Sequence, residues 1–318
     1  MRYLLTIIFG ALIMMSIQSC ATSHYYKLEP MEYSDLDYGY EVKYSKVRNI
    51  NVAYIDEGSG SQTILLVHGL GTYAKGWIKN IDALSEDYRV IAIDLPGYGK
   101  SDKGHYKYTM DFYATVLTEL MDNLGIDESI VAGHSMGGQI AMTMALNFPE
   151  RIHKLVLISP AGFERFEDGE GDWLINVMTP DLVKDTPIRA IDTNLRYNFY
   201  ETPEDAEFLI TERIQLRSSS DFDRYCYAVS KNVQAMIDGY VYDKLNQIMH
   251  PTLILWGEND QLIPNRFLHA GWTKDIAKIG EEEIPNNKTI LFPKCGHFVQ
   301  FEKSEETNQS IREFIGAN

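Results

Sequence analysis

Ser129-Ile130-Val131-Ala132-Gly133-His134-Ser135-Met136-Gly137-Gly138-Gln139-Ile140-Ala141 is the stretch that decides how this chain is read. Its β-branched start predicts a strand, its glycines a tight turn, and the residues from about Gly137 a helix. Within it, Gly133-His134-Ser135-Met136-Gly137 fits the G-x-S-x-G nucleophile elbow, where a Ser sits on a strained turn with its hydroxyl clear of the sheet. The glycines matter because a side chain there would meet the strand or helix as the chain reverses. The helix that follows aims its first backbone N–H groups at any negative charge forming on a bound oxygen. Taken alone, the pattern also fits an ordinary βα turn with a capping Ser, so its meaning depends on the rest of the chain.

Working outward, Thr63–Val67 is an uninterrupted apolar run, expected of a strand buried on both faces, and it ends in His68-Gly69-Leu70-Gly71. A helix is expected over Lys75 to Leu84, then the strand Val90–Ile93 and the loop Asp94-Leu95-Pro96-Gly97-Tyr98-Gly99-Lys100-Ser101. A helix from Met110 to Leu124 closes on Gly125 and leads into the elbow strand, and Leu155–Ser159 reads as a further buried strand. Buried strands alternating with helices indicate βαβ units and a mostly parallel sheet with helices on both faces. Upstream, Glu41–Tyr44 and Ile50–Asp56 alternate as half-exposed strands, expected to form an antiparallel pair at one sheet edge. After Gly162 the pattern changes. Amphipathic segments rich in Tyr, Arg and Asp, divided by Pro180, Pro187 and Pro203, predict an inserted helical cap over residues 164–246. The sheet resumes at Thr252–Gly257 and Lys288–Phe292, and the last helix is Ser304–Ile315. The expected organisation is a core of residues 46–163 plus 247–318, interrupted by the cap and preceded by a Tyr-rich tether over 20–45 packed on the domain surface.

A Ser hydroxyl is inert at its free pKa and needs a base that is itself oriented by a third group. Such partners should lie at the carboxyl ends of later strands, where open α/β sheets build their sites. His297, in Pro293-Lys294-Cys295-Gly296-His297-Phe298, follows the last strand. Asp260, in Trp256-Gly257-Glu258-Asn259-Asp260-Gln261, follows a buried strand. Its rivals are Glu258, nearer the strand end, and Asn259, which cannot carry the charge that steadies an imidazolium.

The ordered set His68-Gly69, Asp94 to Ser101, Gly133 to Gly138, Gly257-Glu258-Asn259-Asp260 and Gly296-His297 resembles the α/β-hydrolase superfamily. The likeness is to its cap-bearing members, the bacterial esterases and meta-cleavage-product C–C hydrolases. It spans about Val47 to Ile315, with the cap matched by position alone. It implies the α/β-hydrolase fold and a triad of Ser135 as nucleophile, His297 as base and Asp260 as the orienting acid. It also implies an oxyanion hole made by the backbone N–H groups of Leu70 and Met136. His68 would then support the oxyanion loop, His134 would be packing, and Asp94 a structural turn residue. Haloalkane dehalogenases and epoxide hydrolases of the superfamily carry Asp at the elbow; Ser135 favours attack on a carbonyl carbon and an acyl-enzyme. The leading expectation is hydrolysis of a small or medium carboxylic ester, with Trp173, Phe199, Tyr225 and Tyr227 as candidate cap lining. A C–C bond or amide hydrolase is the alternative; an acidic C–C substrate would need cationic cap groups such as Arg189 or Arg196. A non-catalytic binding protein on the same fold is the third reading.

The chain has 318 residues, is 45% hydrophobic and 23% charged, and carries a formal net charge of −16. That acidity argues against nucleic acid or an anionic membrane surface as partner. Arg2 followed by the apolar Tyr3–Ile17 suits a signal peptide over residues 1–19. It closes on Ile17-Gln18-Ser19-Cys20, which resembles a bacterial lipobox, Gln18 being a departure from the commonest residues there. The resemblance implies cleavage before Cys20, lipidation of its thiol, and export to a membrane-anchored position. Ala21 favours the outer membrane if the host is Gram-negative. Cys226 and Cys295 either pair or remain buried thiols. No His/Cys cluster has ligand spacing, so no metal is expected; no cofactor is expected either.

Overall fold

The computed structural model describes residues 23–167 and 169–317. The apolar run before Cys20, and Cys20 itself, lie outside the described residues.

Eight strands form one sheet: β1 (Lys43–Val47), β2 (Ile50–Glu57), β3 (Thr63–Val67), β4 (Arg89–Ile93), β5 (Ser129–His134), β6 (Ile152–Ile158), β7 (Thr252–Gly257) and β8 (Asn287–Phe292). Their spatial order is β1-β2-β4-β3-β5-β6-β7-β8. β1 and β2 form the antiparallel edge expected from their alternation, β2 meets β4 antiparallel, and every pair beyond is parallel. This is the α/β-hydrolase fold that the motifs imply. β5 and β7 are buried along their whole length, which is why their sequences run apolar without alternation.

Before β6 ends, the α-helices are α1 (Ile78–Ser85), α2 (Met110–Asn123) and α3 (Met136–Asn147). Between β6 and β7 come α4 (Glu170–Val177), α5 (Pro180–Lys184), α6 (Ile188–Arg196), α7 (Glu207–Gln215) and α8 (Phe222–Asp238), with no strand there among the described residues. After β7 follow α9 (Thr273–Glu283), α10 (Val299–Glu302) and α11 (Ser304–Gly316). α2 packs with α3, and α1 with α10 and α11. The crossover helix α9, which the apolar pattern does not announce, makes the return that a parallel β7–β8 pair requires. The helix expected over Lys75 to Leu84 is split into a 3-10 turn, Ala74–Trp77, and α1. The Asp94 carboxylate holds that turn by accepting the Ala74 N–H at 2.8 Å.

Residues 23–40 depart from the expected surface tether. Tyr25, Tyr33, Leu36 and Tyr38 are buried, and the segment straps the α4–α8 region to the sheet. At one end the Tyr25 hydroxyl donates to Glu207 at 2.5 Å, with an Asp192 carboxylate oxygen 3.1 Å away. In the middle, Glu32 accepts the Ser219 hydroxyl at 2.6 Å. At the other end the Tyr38 hydroxyl reaches the buried Asp94 carboxylate at 2.7 Å. A tyrosine hides an apolar ring while its hydroxyl finds a polar partner, a division invisible to hydrophobic periodicity.

The elbow is the tightest place in the fold. A Cβ on Gly137 would overlap the carbonyl oxygen of Val67, and one on Gly133 the carbonyl of Gly137. Gly137→Ala is therefore expected to lower stability by about 2–3 kcal/mol, read as a reduced urea midpoint with unchanged slope. Gly316→Ala, at a site with open space around it, should leave the midpoint in place.

Candidate active site

Sheet register assembles the site. β3 lies beside β5 with Val67 opposite Gly133, so the loop beginning at His68 runs next to the elbow. β7 lies beside β8 with Gly257 opposite Phe292, so the loops holding Asp260 and His297 are neighbours. Parallel strands place all four loops at one edge, as open α/β sheets do for their ligand sites.

Ser135 has φ 53° and ψ −119°, a conformation costly for a residue with a Cβ. The strain is held by its surroundings. The Ser135 N–H donates to Ile158 at 2.9 Å, and its carbonyl accepts from Gly138 at 2.9 Å and Ala161 at 3.0 Å. The first turn of α3 follows immediately, and its opening N–H groups have no intrahelical acceptor.

His297 Nδ1 is 2.7 Å from Asp260 Oδ2. Asp260 Oδ1 accepts from the N–H groups of Leu262 at 2.8 Å and Ile263 at 3.1 Å, so both carboxylate oxygens are engaged. With Nδ1–H donating to Asp260, His297 presents the lone pair of Nε2. Of the three acid candidates the structure brings only Asp260 to His297; Glu258 and Asn259 are exposed. Ser135 and His297 both face one cavity of about 400 Å³.

His68 stands beneath the loop that follows β3. Its Nε2 accepts the Leu95 N–H at 3.0 Å, so Nδ1–H donates to the Gly69 carbonyl at 2.8 Å. Complete burial pulls its pKa down to about 4, and the ring is neutral at physiological pH. The result is a rigid clip that fixes the peptide before Leu70. The Leu70 N–H has no acceptor among the described residues. His134 is also buried and neutral, its pKa held well below the usual range by burial. Its Nε2–H donates to the His297 carbonyl at 3.0 Å, which anchors the backbone of the neighbouring histidine. Asp94 accepts from Tyr38, Ala74 and Lys100 and is enclosed as a turn residue.

The cavity is walled by Leu174, Met178, Val233, Met236, Ile237 and Tyr240 from the region between β6 and β7, and by Leu262, Ile263 and Phe298 from the core. None of the four aromatics expected to line it does so. Trp173 is 48% exposed, and Phe199 packs on Phe298 and Phe301. Tyr225 stands beside Gly71, and Tyr227 lies against His105 and Tyr108. Helical periodicity separates an apolar face from a polar one but does not say which apolar residue meets the cavity. The two expected cationic groups are elsewhere too: Arg189 is exposed, and Arg196 is paired with Asp192 and Glu207.

Two charged groups that the sequence reading passed over are near the site. Glu164 lines the cavity, and its carboxylate accepts the Asn265 N–H at 2.6 Å and is bonded to His269 Nδ1. Burial raises its pKa. Arg213 lines an adjoining cavity of about 500 Å³, which shares Leu70, Met178 and Asn198 with the first. Its guanidinium lies 4.8 Å from the Phe222 ring and 4.9 Å from the Tyr225 ring, and its Nη1 is buried without a partner. Cys226 and Cys295 are free and buried.

The family model described as alpha/beta hydrolase fold matches residues 62–304. A 2-hydroxy-6-oxononadienedioate/2-hydroxy-6-oxononatrienedioate hydrolase of Paraburkholderia phymatum is 32% identical over 280 residues, covering 84% of this chain and 91% of the relative. The hydrolase of that name from Klebsiella pneumoniae is 31% identical over 279 residues, covering 84% and 92%. Among solved structures, a probable hydrolytic enzyme of Pseudomonas aeruginosa superposes with a TM-score of 0.81 at 25% identity, covering 91% of this chain and 99% of that one. A variant of the meta-cleavage product hydrolase of Pseudomonas fluorescens, complexed with acetates, gives a TM-score of 0.70 at 27% identity, covering 87% and 98%.

The buried neutral His68 ties stability to pH with a definite sign. Its contribution is complete above its ordinary pKa of 6.5 and is lost as the pH falls toward about 4, because the unfolded chain binds the proton first. Urea unfolding at a series of pH values should show about 3 kcal/mol lost across that window from this residue. His68→Gln, which keeps a donor and an acceptor but does not titrate, should flatten the slope relative to the parent.

Proposed function

The chain belongs to the alpha/beta hydrolase fold family, and within it we propose a serine hydrolase that cleaves an uncharged, largely apolar carboxylic ester through an acyl-enzyme. The observation that carries this reading is the cavity facing Ser135 and His297: its walls are apolar, its charged carboxyl is Glu164, and no Lys or Arg lines it among the described residues. An anionic substrate lodged there would lose its hydration without gaining a cation.

In the proposed reaction His297 Nε2 takes the Ser135 proton as Oγ attacks the carbonyl carbon. The N–H groups of Leu70 and Met136 receive the tetrahedral oxyanion. A donor of this kind is typically worth about 3 kcal/mol in the transition state. The leaving alcohol departs with the proton from His297. Water, activated by the same imidazole, then hydrolyses the acyl-enzyme. Asp260 keeps the Nδ1–H tautomer in place throughout. Residues 17–20 support lipidation at Cys20 and a membrane-anchored position, which incorporation of labelled palmitate into the parent but not Cys20→Ser would test.

A second reading is C–C hydrolysis of a dicarboxylate, the substrate type in the names of the relatives. Arg213 favours it, since a carboxylate in the adjoining cavity would meet the unpartnered Nη1.

Hydrolysis of p-nitrophenyl esters from acetate to decanoate separates the two. The ester reading expects turnover that vanishes in Ser135→Ala, is faster for medium chains than for acetate, and persists in Arg213→Gln. Turnover confined to the dienedioate and abolished by Arg213→Gln would replace it with the second. Asp260→Asn should cut kcat by about four orders of magnitude while the unfolding midpoint stays near that of the parent.

A further inference from the structure

The exposed large apolar side chains are not scattered. Apart from Tyr44 and Met249, those among the described residues lie on the strap, on the α4–α8 cap or on the loop after β7. Phe267 is 90% exposed, Trp272 69%, Trp173 48% and Leu262 41%. The two elements that carry them meet beside one opening, lined by Leu174 of α4 and Leu262 of the loop. Leu262 and Tyr240 line the catalytic cavity while remaining exposed at its mouth. His269, two residues from Phe267, bonds to Glu164 and to Glu170, the latter at 2.8 Å, and so ties the loop to the start of α4, which carries Trp173. A folded chain in water pays for such a patch, and patches of this kind mark surfaces that are covered in use.

We propose that this face docks on a lipid bilayer, so that the ester reaches Ser135 from the membrane rather than from water. The substrate class becomes an amphipathic, membrane-partitioned ester such as a long-chain acyl lipid, a clause that rests on the ester reading above. Two observations select a lipid surface as the occupant. Trp and Tyr have an apolar body and a polar edge, the chemistry favoured at a bilayer interface, and Trp173, Tyr240 and Trp272 stand exposed on α4, after α8 and on the loop after β7. The chain also enters the described structure on this region: Tyr25 is buried with Ile191, Ile210 and Ile214 of α6 and α7, a few residues after the apolar run Tyr3–Ile17 of the sequence. A membrane-held N-terminus would thus deliver the cap, not the far end of the sheet, to the surface. The net charge of −16 opposes anionic headgroups, so contact through apolar side chains should favour zwitterionic lipid.

The chain carries its own probes. Of its 4 tryptophans, Trp77 and Trp256 are fully buried in the core, and Trp173 and Trp272 are on the proposed face. The full-length chain, reconstituted into phosphatidylcholine vesicles with brominated acyl chains, should lose much of its emission, and Trp173→Phe combined with Trp272→Phe should abolish that quenching. Emission that stays open to aqueous iodide in vesicles, with no bromine quenching, would overturn the proposal. Protection from iodide before lipid is added, together with a doubled mass in sedimentation, would give the face to a second copy and overturn it as well. Phe267→Glu and Trp173→Glu should each lower hydrolysis of a vesicle-borne acyl ester roughly tenfold while leaving soluble p-nitrophenyl butyrate unchanged. Bromine quenching without Ser135-dependent ester turnover would remove the ester reading and leave the docking face. Turnover on soluble ester without quenching would do the reverse.

Discussion

The backbone of Gly137 lies so close to the carbonyl of Val67 that no side chain fits between them, and this contact sets the geometry of everything around it. It brings the start of α3 against the end of β3, so the elbow and the loop carrying Leu70 share one small space. The same closeness forces Ser135 into a conformation that L-residues avoid, and the cost is met by bonds to Ile158, Gly138 and Ala161 on both sides of the turn. A looser packing would relax the serine and separate it from the backbone donors at once.

Around that contact the polar groups are divided by burial into those that hold shape and those that face the cavity. His68 and His134 are enclosed and neutral, each spending its N–H on a carbonyl of a residue in or next to the site. Asp94 has a full set of donors and stiffens the loop after β4. His297 alone combines a carboxylate behind it with an open cavity in front. Three histidines of similar sequence context thus differ in role because their second nitrogens meet different partners.

The strap over residues 23–40 changes how the cap should be regarded. It is bonded to α6, α7 and the turn before α8 on one side and to Asp94 on the other, so the helices between β6 and β7 are joined to the loop after β4 through a segment that precedes both in the chain.

Much of this was legible in the residues themselves. Short continuous apolar runs at β3, β5, β6 and β7, bounded by turn residues, fit strands covered on both faces, and the order of the short motifs after them carries the resemblance to the α/β-hydrolase fold. Ser135, Asp260 and His297 could be singled out because each follows a strand end, and parallel strands deliver their ends to one edge. What the sequence could not decide were distances between segments far apart in the chain. The 2.7 Å between His297 and Asp260, and the exposure of Glu258 and Asn259 beside it, are set by the turn after β7. The cavity walls, Arg213 beside them and the burial of the strap tyrosines were hidden for the same reason. Periodicity records which side of a helix is apolar, whereas its rotation against the core, and hence what touches the substrate space, is set by packing.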